Sequence, residues 1–338
     1  MIKSDIEMIS VIVVTYNQEE TIARTLDSIL MQKCHVPFEI VVGDDCSKDG
    51  TRRICEDYQR RFPDIISLMP KAPNKGVVDN YFDCLLACRG DYIADCAGDD
   101  FWTDERKLDK EVTVLENDAT VTLVHTNWFY YDEETKKQTP NDVNLFRERI
   151  TDGRQMLEAI VTQTTDIIIH SCTAMYRADV FRKVYAEDIN LFRNKSFTCE
   201  DIQIAFIMAM NGNIAYIPDY TLNYSYGTDE SVSYSEDSEK QYRFFKGATE
   251  LSFYICNRYN IKSRRTSWYF NHRLFALAMH AFRGKSKALR DDVHACAARW
   301  HVRRQLRFIV LLAVMSNGVT WSLALRARKI LLRIIKSK

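Results

Sequence analysis

The chain has 338 residues, 46% hydrophobic and 27% charged, with equal numbers of acidic and basic side chains and therefore no formal net charge. That length leaves room for one large or two smaller domains, and the ordinary composition excludes a disordered, collagenous or disulfide-stapled chain. The neutrality is uneven: no Asp or Glu follows Asp292, whereas Arg299, Arg303, Arg304, Arg307, Arg326, Arg328, Lys329, Arg333, Lys336 and Lys338 are all basic, which suits the tail to an anionic partner, nucleic acid or a lipid leaflet.

Ser10–Thr15 is an uninterrupted, largely β-branched run closed by Tyr16-Asn17, the pattern of a strand buried on both faces. Thr21–Gln32 carries Ile22, Leu26, Ile29 and Leu30 at helical spacing. Phe38–Gly43 is a second strand ending at Asp44-Asp45, and the turn cluster Ser47–Thr51 leads into a helix reaching Phe62. Ile65–Met69 reads as a third strand, Pro70–Gly76 as a loop, Val77–Cys88 as a helix and Tyr92–Cys96 as a fourth strand. A helix from Lys107 to Leu115, a strand over Val121–Trp128 and a polar connection from Tyr130 to Asn144 follow. Ile167–Tyr176 has the pattern of a strand pair, Ile202–Met210 of a helix, and Ile214–Ile217 and Leu222–Tyr226 of edge strands. Beyond Ser235 the patterns become long helices, over 239–259, 263–282 and 285–300.

Repeated strand–helix alternation predicts a layered α/β fold with a parallel sheet. Right-handed crossovers then bring Tyr16, Asp45 and Asp99-Asp100 to one sheet edge, where open α/β sheets bind ligands. The stretch Tyr92–Trp102 ends an apolar run in two adjacent carboxylates. Such a pair is stable beside a cation or well-placed donors, and Mg²⁺-type sites combine one or two carboxylates with substrate phosphates. A solvated turn before the helix near Asp104 is the other reading of the same residues. Neither GxGxxG nor GxxxxGK[ST] occurs, so dinucleotide-binding and P-loop chemistry are unsupported. The ten cysteines form no CxxC pair and have no histidine cluster, so they read as structural thiols in a reduced, cytosolic compartment rather than as a zinc site. Met1–Glu7 is charged and leads straight into a strand, so no signal peptide is expected.

In the tail, Phe308–Leu325 is uncharged, at the lower limit for a spanning helix, but Ser316-Asn317-Gly318 divides it. An interfacial pair of amphipathic helices on anionic lipid is the favoured expectation, and packing onto the domain is the competing one. The scarcity of interleaved aromatics favours lipid over nucleic acid.

Four motifs recur together: Val13–Glu19, Val42–Thr51, Gly98–Trp102 and Glu200-Asp201. As an ordered set they resemble the family 2 glycosyltransferases, over roughly residues 8–235. The resemblance implies an α/β fold of the GT-A type (a Rossmann-like nucleotide-diphospho-sugar transferase domain) over 1–235. Residues 1–105 would form the nucleotide-sugar half and 106–235 the acceptor half, followed by a helical region over 236–338.

The resemblance also implies a UDP-sugar donor and Mg²⁺ or Mn²⁺. Thr15 and Tyr16 match positions that line the base, Glu19 the acid near the ribose, and Asp45 the acceptor of the uracil N3–H. Asp99 and Asp100 match the metal-binding acidic pair, with Asp100 the direct ligand and Asp99 nearer the ribose. Ala97 stands where many members have another acid. Asp201 resembles the catalytic base, though it would also serve as a helix N-cap. Trp102, His170 and Glu200 are candidates to line the acceptor site. Lys75 could reach the diphosphate, and Tyr226 and Thr228 replace an Arg-x-His found in many members.

The implied activity is inverting hexose transfer to a hydroxyl of a lipid-linked glycan. It belongs to surface-polysaccharide synthesis, with the tail (299–338) holding the enzyme on the inner face of the cytoplasmic membrane. A nucleotidyltransferase, which would want a basic loop where Tyr16–Glu20 is acidic, and a non-catalytic nucleotide- or nucleic-acid-binding protein are the alternatives.

Overall fold

The computed structural model describes residues 7–142, 146–163, 168–227, 237–302 and 305–336. Thr228 and the expected domain boundary at 235/236 lie outside these residues. The chain divides into two compact units, Met1–Lys195 with Cys199–Glu230, and Ser196–Thr198 with Ser231–Lys338.

The first unit is built on one sheet. β1 (Ile9–Thr15) lies parallel to β2 (Phe38–Asp44) on one side and to β4 (Tyr92–Asp95) on the other, and β2 is parallel to β3 (Ile66–Leu68). Crossover helices α1 (Ile22–Leu30), α2 (Thr51–Arg61) and α3 (Val77–Ala87) connect these strands. Parallel strands covered on both faces need side chains that pack on both, and Ile9, Val11, Ile12 and Val13 are all buried.

Beyond β4 the sheet is mixed, not parallel throughout as expected. The later elements are β5 (Phe101–Trp102), α4 (Lys107–Asn117), β6 (Val121–Asp132), β7 (Gln138–Pro140), β8 (Ile150–Asp152), α5 (Gly153–Val161), β9 (Ala174–Arg177), α6 (Ala178–Glu187), α7 (Ile189–Arg193), α8 (Asp201–Asn211) and β10 (Asn213–Tyr226). The sheet order is β3-β2-β1-β4-β9-β6-β10-β5, with β7 on β6 and β8 on β10. β9 runs antiparallel to both β4 and β6, and β10 lies parallel to β6.

Three expectations change. The polar connection after Trp128 is instead the continuation of β6, with β7 folding back on it. The strand pair expected up to Tyr176 is a 3₁₀ turn (Ser171–Thr173) leading into β9, with Ile167 outside the described residues. The two edge strands are one strand, β10, inside the sheet; its register shifts between Tyr216 and Tyr220, and such an irregularity accommodates Pro218, which has no N–H for the ladder. Because β5 pairs with β10, the nucleotide and acceptor halves share one sheet.

The second unit is helical: α9 (Ser238–Arg258), α10 (Arg264–Arg283), α11 (Lys287–Arg299), α12 (Leu306–Ser316) and α13 (Gly318–Lys336). Tyr242, Leu277, Val293, Phe308, Met315 and Trp321 share its core. Trp321 Nε1 donates to the Phe282 carbonyl at 3.0 Å. No single described helix is long and apolar enough to cross a membrane; α12 and 318–330 together have the length but bend by 115°. Each tail helix buries one side against this core while Leu306, Ile309, Val310, Val319, Leu323 and Ile330 remain exposed.

Candidate active site

The C-terminal end of β1 turns sharply through Asn17, at φ 52°. Thr15 Oγ1 donates to Gln18 Oε1 at 2.7 Å, so its hydroxyl is engaged within the turn. The Tyr16 ring is exposed. Gly98 reaches this turn with its N–H on the Val14 carbonyl at 3.0 Å. A Cβ on Gly98 would lie 2.8 Å from Thr15 Oγ1 and 2.4 Å from Gln18 Oε1, so only glycine lets the acidic turn approach β1.

Asp45 follows β2 and its carboxylate is gripped by a loop. Oδ1 accepts from the Lys75 amide at 2.8 Å and Oδ2 from the Gly76 amide at 2.9 Å. Gly76 sits at φ 86°, a conformation that favours glycine. Each oxygen keeps a further lone pair. Lys75 Nζ pairs with Asp83 Oδ2 at 2.6 Å, which draws it away from the diphosphate role considered from sequence. Glu19 is likewise committed elsewhere. Its Oε2 accepts from the Gly50 amide at 2.5 Å, a bond that a ribose contact through that oxygen would have to displace.

The acidic pair divides. Asp99 is half-buried, and its carbonyl accepts from Arg24 Nη2 at 3.0 Å. Arg24 also pairs with Glu133 at 2.5 Å and lies 4.1 Å over the Phe101 ring. Asp100 is buried at 1% exposure. Its Oδ1 accepts from the Ser225 amide at 2.9 Å, and its Oδ2 has no hydrogen-bond partner. Burial, then the Asp99 charge, pushes the Asp100 carboxyl well above the ordinary range. A buried carboxylate oxygen without a donor is costly, and a cation relieves that cost. Asp100 therefore fits a metal ligand on its own geometry. His170 lies beside it, with Nδ1 accepting from the Cys172 amide at 3.3 Å and the ring 4.5 Å from that of Tyr224.

Trp102 does not line an acceptor site. It is 1% exposed, its Nε1 donates to the Cys172 carbonyl at 3.1 Å, and its ring packs into the sheet's core. Its large apolar area is used for stability.

Asp201 opens α8 just after the cap residue Glu200, which makes no side-chain cap bond, and Asp201 Oδ1 itself accepts from the first-turn amide of Ile202 at 2.8 Å. Burial raises both carboxyls, and with the Asp201 charge added it pushes Glu200 up to about 8. A third carboxyl joins them electrostatically. Asp95, the last residue of β4, is buried; its Oδ2 accepts from Tyr81 at 3.0 Å and its Oδ1 has no partner. Burial moves Asp95 up to about 7, with Asp201 adding to the rise and Tyr81 and Lys107 opposing it. Asp95 and Arg24 were not singled out in the sequence. An acid inside the apolar run Tyr92–Cys96 was the available signal for the first; the second carries none.

The model of glycosyl transferase family 2 matches residues 10–185, just over half of the chain. The chain belongs to that family, and its fold is a mixed α/β GT-A core with a helical C-terminal region. It is 40% identical over 114 residues to an uncharacterized protein of Mycobacterium tuberculosis, which covers 34% of this chain and 33% of that one. It is 38% identical over 125 residues to the putative glycosyltransferase EpsE of Bacillus subtilis, covering 37% of this chain and 44% of EpsE. The chain thus matches less than half the length of each of these curated relatives. Among solved structures, residues 1–349 of TarS from S. aureus in complex with UDP-GlcNAc match at TM-score 0.55 and 16% identity, covering 92% of both chains.

Proposed function

We propose that the protein is an inverting glycosyltransferase moving a hexose from a UDP-sugar to a hydroxyl of a lipid-linked glycan in surface-polysaccharide synthesis. The observation that carries this reading is the partnerless, buried Oδ2 of Asp100, on the turn that packs against the end of β1. A carboxylate left in that state suits a site completed by a cation and a diphosphate. The UDP-GlcNAc complex of TarS, on a similar fold, supports the donor class.

In this reading the exposed Tyr16 ring stacks on the base, beside Thr15. Asp45, oriented by the Lys75 and Gly76 amides, accepts the uracil N3–H through a remaining lone pair. Asp99 faces the ribose and diphosphate, and Asp100 holds the divalent ion, Mg²⁺ or Mn²⁺ in the family resemblance. When bound, that ion neutralises charge on the departing diphosphate. Asp201 takes the proton of the acceptor hydroxyl as its oxygen bonds to the anomeric carbon, opposite the breaking bond to UDP. Burial that raises the Asp201 carboxyl makes it a stronger base for this transfer. Glu200 borders the acceptor. The exposed apolar residues of α12 and α13, among the basic side chains of 299–338, rest on the anionic inner face of the cytoplasmic membrane.

Calorimetric titration with UDP, with and without Mn²⁺, on wild type and Asp100→Ala tests this reading. Metal-dependent binding lost in the variant is expected. If UDP fails to bind under both conditions, the donor assignment and the role of Asp45 are wrong.

A further inference from the structure

The donors around Asp100 are not the all-oxygen set that Mg²⁺ prefers. A carboxylate oxygen of Asp100, a ring nitrogen of His170 and Cys172 Sγ lie within 4.8 Å of one another; either nitrogen of His170 would ligate by giving up the 3.3 Å bond from the Cys172 amide to Nδ1. All three residues are buried, and Asp100 Oδ2 has no partner.

Separate segments fix each donor. The Ser225 amide, on β10, holds Asp100 Oδ1 at 2.9 Å. Trp102 Nε1 holds the Cys172 carbonyl at 3.1 Å, and the Ala97 amide donates to Cys172 Sγ at 3.2 Å. The His170 ring is wedged against Tyr224 and Trp128, with centroids at 4.5 and 5.5 Å. Holding ligands through such supporting contacts is how proteins orient a metal site.

We propose that Asp100, His170 and Cys172 form a mixed carboxylate–imidazole–thiolate site for a borderline-soft divalent ion of the zinc or cobalt kind. Thiolate and imidazole select such ions, whereas Mg²⁺ demands oxygen ligands in an octahedron and sheds water reluctantly. The proposal rests on Asp100 being a cation ligand, as in the proposed function, and changes which ion this chain takes. It also gives Cys172 a role that the scattered spacing of the cysteines did not suggest.

The test is a Co²⁺ titration of the metal-stripped full chain, followed by absorption. The expected result is a near-ultraviolet sulfur-to-cobalt charge-transfer band with intense four-coordinate visible bands, undiminished by excess Mg²⁺. Cys172→Ser should lose the charge-transfer band. His170→Gln should keep it and shift the visible bands. Far-UV circular dichroism of the metal-free variants separates ligand loss from misfolding, and the wild-type spectrum is decisive by itself. A weak six-coordinate spectrum in wild type, or a band that survives Cys172→Ser, overturns the proposal. UDP binding without the band would leave the glycosyltransferase reading standing and remove the thiolate site; the band without UDP binding under any ion would do the reverse.

Discussion

Lys107 and Glu111 form an ion pair behind the acidic turn, and removing Lys107 is expected to cost about 1 kcal/mol near pH 7.5 and about 3 kcal/mol near pH 9. The two side chains are fully buried, with Nζ 2.6 Å from Oε2. Nζ also lies 4.6 Å over the Trp102 ring, so the pair braces the strand that follows Asp99-Asp100. Glu111 Oε1 has no partner, and burial pushes this carboxyl upward against the pull of Lys107. In Lys107→Met the methionine fills most of the stem's volume, which leaves an uncompensated carboxylate. Its escape is to take a proton, and since burial already moves the wild-type carboxyl up to about 7, the cost beyond wild type is ~1.4 kcal/mol for each pH unit above that. That escape keeps the cost near pH 7.5 below the ~3–5 kcal/mol typical when one partner of a buried pair is removed.

The sign follows from the carboxyl's raised folded pKa. The native variant keeps its proton where wild type loses it, so the deficit grows as pH rises through about 7 and vanishes near pH 5. Urea unfolding of wild type and variant at pH 5, 7.5 and 9 reads the difference; by melting, the pH 9 deficit is a drop of roughly 6–12 °C. Lys107→Met with Glu111→Leu should recover most of it, since a buried pair is often replaceable by apolar residues. A cost that does not rise between pH 5 and 9 would falsify the argument, because losing Lys107 would then leave the Glu111 carboxyl no harder to ionise.

Asp201→Asn should lower kcat roughly 10²–10⁴-fold with UDP affinity unchanged; equal loss of both, measured by turnover and calorimetry, would remove the base assignment. Asp95→Asn should flatten the pH dependence of stability. With Asp95 at about 7 when folded, the native state binds more protons from about pH 4 upward. Wild type therefore loses about 2–3 kcal/mol between pH 5 and 7 that the variant keeps, and parallel unfolding curves would contradict this. Trp102→Ala should destabilise by about 3–5 kcal/mol in denaturant titrations; a stable variant with only a raised acceptor KM would return Trp102 to the acceptor site. Anionic vesicles should bind the full chain in a salt-sensitive manner and compete with no RNA, as read by flotation and gel shift; the opposite pattern would sink the membrane role of the tail.

Local pattern was sufficient for much of the fold. The run Ser10–Thr15, the helical spacing of Ile22, Leu26 and Ile29, and the acids ending apolar runs at Asp45 and Asp99-Asp100 describe β1, α1 and the sheet edge. Each is written within a few residues, because period and run length reflect which faces must leave water. Order and motif spacing also carried the family resemblance, which the family match supports.

What only the tertiary structure decided concerns partners distant in sequence. Whether Trp102 faced solvent or core depended on Ser28, Cys172 and β10 closing around it. Pro218 looked like the end of an edge strand until a register shift placed it within β10. Asp95 was one polar residue in an apolar run until the fold set it in the field of Asp201. His170 and Cys172 gained significance beside Asp100 only once β9 had crossed to β4. Burial and electrostatics depend on what the whole chain packs around a group, and no local periodicity encodes that.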